Sequence, residues 1–224
     1  MKIKANNISI RIGEIDILNR VSFDIPEKSF ACILGSNGSG KSTLLHAISQ
    51  NIKNYSGDIT TLNTSEVSFL PQNLIPPLFL SLMDVVYLGL YHRGLDNEHK
   101  LREVEKLLDT CGINSIRTRS FTEASEGEQQ RAWIAFALAQ SKDVMLLDEP
   151  FSSIDLSSKK SFYELLQKTS QSGKTIMLVT HDIEMAIAHS DWIVRLDNGE
   201  KTFEGDPASY KKVFNAKSNL SDFS

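Results

Sequence analysis

The sequence ACILGSNGSGKST occupies residues 31–43, and the rest of the chain is best interpreted outward from it. A short apolar run leads to Gly35, a glycine-rich turn follows, and Lys41 and Ser42 come directly after that turn. The pattern G-x-x-x-x-G-K-[ST] is typical of a strand, a phosphate-binding loop and a helix in succession. The stretch therefore predicts a loop that binds the phosphates of a nucleotide.

The residue types in this loop suit phosphate chemistry. Gly38 and Gly40 can adopt positive φ angles, so that successive N–H groups can turn toward phosphate oxygens. The N-terminus of the following helix adds unpaired donors and the positive end of its dipole. Lys41 would reach the β- and γ-phosphates, and the Ser42 hydroxyl would ligate Mg²⁺. The candidate phosphate-binding residues are Gly35, Ser36, Asn37, Gly38, Ser39, Gly40, Lys41, Ser42 and Thr43.

Composition limits the classes of protein to which the chain can belong. Its 224 residues, 41% hydrophobic and 23% charged, suffice for one globular domain with a sizeable core. A net charge of -4 argues against a broad nucleic-acid-binding surface. Cys32 and Cys111 lack metal-ligand spacing and favour a reducing compartment. No apolar run approaches 18 residues and the N-terminus lacks a signal-peptide pattern, so a membrane role would require a partner protein.

Hydrophobic periodicity predicts strands on both sides of the phosphate loop. Apolar and polar residues alternate through residues 1–30, which predicts short antiparallel strands before the loop. After the loop we expect a helix over residues 43–50, a turn at 56–58 and a strand at 67–70. The chain thus begins with a β-rich part into which the phosphate loop is built.

Residues 73–140 have a different character and predict a helical insertion between strands. The segment 78–90 is strongly apolar, a second helix follows residues 94–97, and a third covers 126–140. Gly112 would end the second helix. The apolar residues of that helix recur at intervals of three and four: Leu101, Val104, Leu107, Leu108 and Cys111.

The second half of the chain alternates strands with helices. Residues 143–150 form an apolar run that ends in two carboxylates, which predicts a buried parallel strand. A helix over 156–171 and a second buried strand over 175–180 follow. This alternation predicts an α/β fold with a parallel sheet and crossover helices. Residues 206–224 lose periodicity, and we expect them to fray.

Polar residues follow several predicted strands directly. Because ligands of open α/β sheets bind at the carboxyl ends of strands, we expect the phosphate loop, Gln72, Asp148, Glu149 and His181 to converge. Asp148 suits Mg²⁺ binding, and Glu149 suits a general base or a water-orienting group at the γ-phosphate. His181 is a candidate γ-phosphate contact. Taken singly, the acidic pair could be a solvated turn and His181 a structural histidine.

Residues 124–131 read ASEGEQQR and complete an ordered set of motifs. With them the chain resembles the ATP-binding-cassette (ABC) family, whose signature commonly reads LSGGEQQR or LSGGQQQR. The resemblance covers nearly the whole chain. The matching motifs are Walker A at residues 35–43, the Q-loop at Gln72, the signature at 125–131, Walker B with its catalytic glutamate at 144–149, the D-loop at 153–155 and the switch histidine at His181.

The resemblance implies one ABC ATPase domain over residues 1–224. Its expected fold is a P-loop NTPase core with a mostly parallel sheet, an N-terminal antiparallel β subdomain and the inserted helical subdomain. The implied cofactors are ATP and Mg²⁺, with Ser42, Gln72 and Asp148 as metal contacts. Glu149 and His181 would act in hydrolysis. The chain would form a head-to-tail dimer, in which each nucleotide lies between two subunits.

In such a dimer, residues of one subunit complete the nucleotide site of the other. The resemblance assigns Ser125 and Gly127 to the partner's γ-phosphate and Asp155 to the nucleotide through the D-loop. Glu126 departs from the family pattern, because it stands where the signature has its first glycine. We expect Glu126 to point aside and to weaken ATP-driven closure. Ser125 and Glu128 also form a capping-box pattern, so Ser125 could be only a helix cap.

A second departure concerns the adenine base. The family usually has an aromatic residue before the first glycine of the N-terminal hairpin, and Ile12 occupies that position here. Ile12 can pack on a base but offers no aromatic stacking, while the neighbouring Arg11 is an alternative stacking residue. We therefore expect weak discrimination between ATP and GTP.

Among ABC proteins, the chain is most similar to the ATPase subunit of a transporter with separate membrane chains. Residues 82–94 resemble cassettes of iron–siderophore, haem, cobalamin and zinc or manganese importers, although a buried helix would also explain them. The implied partners are a second ATPase subunit, a membrane permease that contacts residues 72–91 and, indirectly, an extracytoplasmic solute-binding protein, without nucleic acid. The implied location is the cytoplasmic face of the membrane. A soluble ABC ATPase and an exporter subunit are the alternatives.

Overall fold

The computed structural model describes the backbone of residues 3–60 and 66–221, and the side chains within those ranges as far as Phe214. The strands are β1 (Ile3–Ile12), β2 (Ile15–Ile25), β3 (Phe30–Gly35), β4 (Ser56–Thr60), β5 (Val67–Leu70), β6 (Val144–Asp148), β7 (Thr175–Val179), β8 (Trp192–Asp197) and β9 (Glu200–Gly205). The α-helices are α1 (Lys41–Ile48), α2 (Leu82–Gly89), α3 (Asn97–Thr110), α4 (Glu126–Ala139), α5 (Leu156–Gln171), α6 (Ile183–His189) and α7 (Pro207–Ser221).

The N-terminal part forms an antiparallel sheet in the order β2-β1-β4. Its alternating apolar residues, such as Ile8, Ile10 and Val21, are buried in one core with Leu44 and Leu45 of α1. The short turn between β1 and β2 lies at residues 13–14. The predicted antiparallel strands before the phosphate loop are confirmed, because period-two alternation correctly identified the buried face.

The larger sheet has the order β5-β6-β7-β3-β8-β9. Strands β5, β6, β7, β3 and β8 pair in parallel, and β9 pairs antiparallel with β8 at the edge. Every residue of β6 and β7 is buried, as continuous apolar strands covered on both faces should be. The predicted α/β fold with a mostly parallel sheet is confirmed. The carboxyl ends of β5, β6, β7 and β3 consequently share one edge.

Between β5 and β6 the chain forms the helices α2, α3 and α4, which pack on one another. Val86, Leu108 and Ala135, one from each helix, lie in a shared apolar core. Helix α2 begins later than its apolar run suggests, because Ser81 caps it with a capping box to Asp84. Within the ranges described, no helix has both the length and the apolar character that a membrane span requires.

The turn predicted at residues 56–58 is wrong, because these residues lie in β4 and pair with β1. The pairing is irregular between Asn6 and Ser9, and Gly57 adopts a φ of 92° there. A Cβ on Gly57 would lie 2.4 Å from the carbonyl oxygens of both Asn6 and Asn7. Glycine therefore permits close approach of two strands here, which a local reading of the sequence took for a turn.

The prediction that the chain frays from residue 206 is also wrong for residues 206–214, the part of this tail whose side chains are described. Helix α7 begins after Asp206, whose carboxylate accepts hydrogen bonds from Ser209. Tyr210 is buried, stacks on Phe214 at 4.4 Å between ring centroids, and meets the ring of Phe203 edge-on. The aromatic pair at a helical spacing of four was the overlooked signal. Residues 222–224 lie outside the described part of the chain.

Replacing Gly57 with Ala should destabilise the antiparallel sheet. The new Cβ would meet backbone oxygens that cannot move without breaking the pairing of β1 with β4. Gly173→Ala is the matched control, because Gly173 has a φ of 106° but open space around its Cβ position. Urea unfolding should show a free energy of unfolding about 1–3 kcal/mol lower for Gly57→Ala than for Gly173→Ala. Equal free energies of unfolding for the two variants would show that the strain of a positive φ, and not contact with the backbone oxygens, causes the loss of stability.

Candidate nucleotide-binding site

The phosphate-binding loop connects β3 to α1, as the sequence pattern predicts. Gly38 and Gly40 have φ angles of 77° and 96°, in the region that favours glycine. Gly40 is also the N-cap residue of α1 and lies against β2, where an added Cβ would come within 2.5 Å of the Leu18 side chain. Glycine at this position thus permits both the turn and the close contact with the antiparallel sheet.

Lys41 lies inside the curve of the loop and is almost fully buried. Its Nζ donates hydrogen bonds to the carbonyl oxygens of Gly35 at 3.0 Å and Ser36 at 2.8 Å. Burial lowers the pKa of Lys41, and the nearby carboxylates of Glu149 and Asp148 oppose that shift. The ammonium group is therefore held inside the loop by two backbone carbonyl oxygens.

Ser42 and Asp148 form the part of the site that suits a divalent cation. The Ser42 hydroxyl donates a hydrogen bond to Asp148 Oδ1 at 3.0 Å. Burial raises the pKa of the Asp148 carboxyl, an effect that the Ser42 hydrogen bond partly opposes. In the described ranges, no group of three or more His, Cys, Asp or Glu side chains is arranged so that it could hold a metal ion by itself. A Mg²⁺ ion would thus need phosphate oxygens and water besides these two groups, which fits its usual coordination.

Glu149 is the point at which the other polar residues converge. Its Oε2 accepts a hydrogen bond from Gln72 Nε2 at 3.1 Å and lies 3.7 Å from His181 Nδ1. The backbone of Glu149 is left-handed, with a φ of 47°, and its N–H donates to the Val179 carbonyl at 3.1 Å. A non-glycine residue in this conformation is uncommon and is typical of functional sites.

A pocket of about 390 Å³ lies over the phosphate loop. Gln72 and Glu149 line it together with residues 37–43, so the structure brings these predicted residues together. Ile17 of β2 also lines the pocket, and no local sequence signal identified it. Ile12 is not among the lining residues; it pairs with Ile15 near the hairpin turn and is 54% exposed.

The signature residues lie outside this pocket. Ser125 caps α4: its Oγ accepts from the Glu128 N–H at 3.4 Å, and Glu128 Oε2 accepts from the Ser125 N–H at 2.8 Å. The predicted capping box is thereby confirmed. Gly127 follows in the first turn of α4. Glu126 is exposed and lines a separate cleft of about 300 Å³ together with Gln72 and Glu149 of the same chain.

Asp155 caps α5 and is tied to the signature helix. Hydrogen bonds from Ser157 and Ser158 hold the pKa of its carboxyl well below the usual range, and Arg131, at 3.3 Å, adds a smaller contribution. Arg131 also donates to the carbonyl oxygen of Cys111 at 3.3 Å. Sequence analysis assigned no role to Arg131, although it belongs to the signature stretch. The structure makes it the link between α3, α4 and the start of α5.

Gln130 makes a parallel link from α4 to the segment after β6. Its side-chain amide donates to Ser152 Oγ at 2.8 Å and accepts from the Ser153 N–H at 3.0 Å. The signature helix is therefore hydrogen-bonded to the loop that follows Glu149. Sequence reasoning missed this contact too, because nothing local to residue 130 indicates its partner.

These features define a class of protein. A strand, a glycine-rich phosphate loop and a helix, with a serine hydroxyl beside a carboxylate at the end of another parallel strand of the same sheet, are characteristic of P-loop nucleoside triphosphatases. The sequence profile of the ABC transporter family matches residues 18–152. The chain belongs to this family of ATPases, and the predicted ATPase class is confirmed.

Relatives and solved structures agree with this assignment. The chain is 31% identical to the manganese transport system ATP-binding protein MntB of Bacillus subtilis, over 87% of this chain and 82% of MntB. It is 32% identical to the petrobactin import ATP-binding protein YclP of the same organism, over 92% and 87% of the two chains. A dimeric, post-hydrolysis structure of the ATP-binding cassette MJ0796 with ADP and Pi superimposes with a TM-score of 0.83 at 28% identity, covering 92% of this chain and 98% of that one.

Proposed function

We propose that this chain is the ATP-hydrolysing subunit of an importer for a metal ion or metal chelate, and that residues 1–224 act as one ABC ATPase domain. The observation that carries the ATPase mechanism is the contact of Gln72 and His181 with Glu149 beside the phosphate loop. The cargo class is supported by relatives named for manganese transport and petrobactin import.

The chain's own residues would bind the phosphates and Mg²⁺ as follows. The N–H groups of residues 37–43 surround the phosphates, and Lys41 adds positive charge to the β- and γ-phosphates. Ser42 and Asp148 would hold Mg²⁺, which would neutralise phosphate charge. Gln72 donates its amide N–H to Glu149, so its amide oxygen remains available to the metal.

Glu149 is the general base in this proposal. It would take a proton from the water that attacks the γ-phosphate, while His181 donates a hydrogen bond to that phosphate. Because Nδ1 of His181 faces Glu149, Nε2 is the ring nitrogen available to the phosphate. The Gln72 hydrogen bond holds the carboxylate between the loop and the histidine.

A single chain would supply only half of each nucleotide site. Ser125 and Gly127 do not line the chain's own phosphate pocket, and the capped start of α4 is exposed. Such a helix N-terminus suits the γ-phosphate held by a second, head-to-tail subunit, with Asp155 nearby. The structure of MJ0796, which is dimeric, supports the formation of a dimer. Ile12 remains our candidate for the adenine contact, and weak discrimination between ATP and GTP stays a prediction.

An exposed apolar cluster supports contact with a membrane permease. Ile75 and Phe79 are 91% and 93% exposed, and Leu78 lies exposed between them in sequence. The cap at Ser81 starts α2 only after these residues, which leaves them outside the helix. An apolar surface of this kind, within residues 72–91 of this chain, suits contact with a short helix of the permease. The permease would hold the ATPase at the cytoplasmic face of the membrane and connect it to a solute-binding protein outside.

Replacing Glu149 with Gln should trap a Mg-ATP-bound dimer. The amide keeps the shape and can pair with Gln72 but cannot accept a proton, so turnover should fall about 100-fold or more. ATP hydrolysis assays and size-exclusion chromatography with light scattering would measure both effects. Glu105→Gln makes the same change on an exposed part of α3 and should leave both unchanged. Normal turnover in Glu149→Gln would rule out Glu149 as the base.

Replacing Phe79 with Asp should prevent docking to the permease. We expect the neighbouring genes to encode a polytopic permease and a secreted binding protein. Co-purification with that permease should fall at least about tenfold, because a desolvated charge would replace the buried ring, while the ATPase rate of the free subunit stays unchanged. Val213→Asp, at an exposed position on α7 and outside residues 72–91, is the matched control and should co-purify normally. Full recovery of the complex with Phe79→Asp would contradict the proposed surface.

Replacing Glu126 with Gly should tighten ATP-dependent dimerisation. Among the described residues Glu126 has no hydrogen bond or ion pair, whereas Glu128 is held by Ser125 and by Arg119 at 3.0 Å. The free carboxylate would therefore repel the partner's phosphates. In the Glu149→Gln background, the dissociation constant of the ATP-bound dimer, measured by ultracentrifugation, should fall about fivefold at low salt.

Two further variants separate the possible causes of that effect. Glu126→Gln removes the charge without adding backbone freedom and should reproduce most of it. Glu105→Gln removes one charge elsewhere and should leave dimerisation unchanged. If closure and turnover stay at the levels of the parent protein in Glu126→Gly, the carboxylate does not oppose closure.

A further inference from the structure

Tyr163 lies beneath the two residues to which we assign the hydrolysis step, on the inner face of α5. It is fully buried, and its hydroxyl donates a hydrogen bond to Thr180 Oγ1 at 3.0 Å. Thr180 immediately precedes His181. The same Thr180 oxygen accepts a hydrogen bond from the Asp182 N–H at 3.0 Å. The hydroxyl of Tyr163 is thus joined to both residues that flank the histidine.

The ring of Tyr163 makes a second connection, to the segment after Glu149. It packs on Phe151, two residues beyond Glu149, with 5.2 Å between the ring centroids. Phe151 also stacks on Phe162, the neighbour of Tyr163 in α5. One side chain therefore contacts the backbone segments that carry both Glu149 and His181.

Few other contacts among the described residues restrain the side chain of His181. The imidazole is 62% exposed, and among the described residues its polar contact is with Glu149 at 3.7 Å. Its backbone is fixed on either side, by the Thr180 N–H bonded to the Ile33 carbonyl at 3.2 Å and by Asp182, which caps α6. The direction of the ring must follow from this backbone rather than from packing around the ring.

We propose that Tyr163 is a positioning residue that orients His181 toward Glu149 by holding Thr180. This inference rests on the proposed roles of Glu149 and His181 in ATP hydrolysis. A small displacement of a catalytic group can lower a rate by up to about 100-fold, so one buried hydrogen bond next to that group can control turnover. Burial raises the pKa of Tyr163, so its hydroxyl stays protonated and remains a donor.

A purely structural role for Tyr163 is the competing explanation, and the chain offers a matched control. Tyr210 is also buried, and its hydroxyl accepts a hydrogen bond from Arg195 Nη1 at 2.9 Å, in a contact away from the phosphate pocket. Tyr163→Phe and Tyr210→Phe each remove one buried, hydrogen-bonded hydroxyl and keep the ring. Their effects on thermal stability should therefore be similar.

The test compares ATP turnover of these variants in the full chain with Mg-ATP. Tyr163→Phe should lower kcat about five- to twentyfold without changing KM for ATP, because the phosphate loop is untouched. Tyr210→Phe should keep the kcat of the parent protein. In single-turnover measurements on a His181→Ala background, adding Tyr163→Phe should cause no further loss, because the residue that it positions is gone.

Variants at Thr180 test the oxygen that accepts hydrogen bonds from both the Tyr163 hydroxyl and the Asp182 N–H. Thr180→Val should reproduce the loss of kcat, and Thr180→Ser, which keeps the hydroxyl, should retain the rate. These variants keep the test decisive if Tyr163→Phe does not fold.

Three results would overturn the inference while leaving the proposed function intact: an unchanged kcat in Tyr163→Phe, an equal loss in Tyr210→Phe, or a full additional loss in the His181→Ala background. Unchanged turnover in both Glu149→Gln and His181→Ala would instead overturn the proposed function, and this inference with it.

Discussion

Strands β3, β6 and β7 are buried on both faces, and the positions of the phosphate loop, Glu149 and His181 depend on that burial. Alternate residues of one strand enter different cores: Cys32 and Leu147 lie in one, Ile33 and Leu146 in the other. A polar side chain inside these strands would lose its hydration without gaining a partner, which costs about 1–3 kcal/mol. The middle residues of these strands are therefore apolar, and the polar groups of the site follow at the carboxyl ends. Because the strands run parallel, those ends lie at one edge, where the phosphate loop, Glu149 and His181 meet.

Two locally unfavourable features of the fold are found at that same edge. Asp148 is a buried carboxylate whose ionised form is disfavoured by burial, and Glu149 has a left-handed backbone. Such features persist only where surrounding structure determines them. Here the pairing of β6 with β7 continues one step beyond the strand, through the Glu149 N–H and the Val179 carbonyl. Pairing in the regular sheet thus stabilises a backbone conformation at Glu149 that the local sequence alone would not favour.

Sequence reasoning succeeded where the signal was local and failed where a distant partner decided the structure. The phosphate loop and the buried strands follow from patterns within a few residues, and their convergence follows from parallel topology. Gly57 was misread because its backbone is fixed by Asn6 and Asn7 of another strand. The tail was misread because Tyr210 is stabilised by contact with Phe203 of β9. Ile17 reaches the pocket only because β2 packs against the loop, which no motif records.

The start of α4 shows that a structural and a functional role can share one residue. A serine hydroxyl has one donor and two acceptor positions, and the cap uses an acceptor of Ser125 for the Glu128 N–H. Its proton remains available to a phosphate oxygen, so capping fixes the group without occupying it. The dipole of a helix contributes roughly half a positive charge at this end, and an unpaired carboxylate contributes a full negative one. Since Glu128 is paired with Arg119, the electrostatic balance that a second subunit's phosphates would meet is set by Glu126.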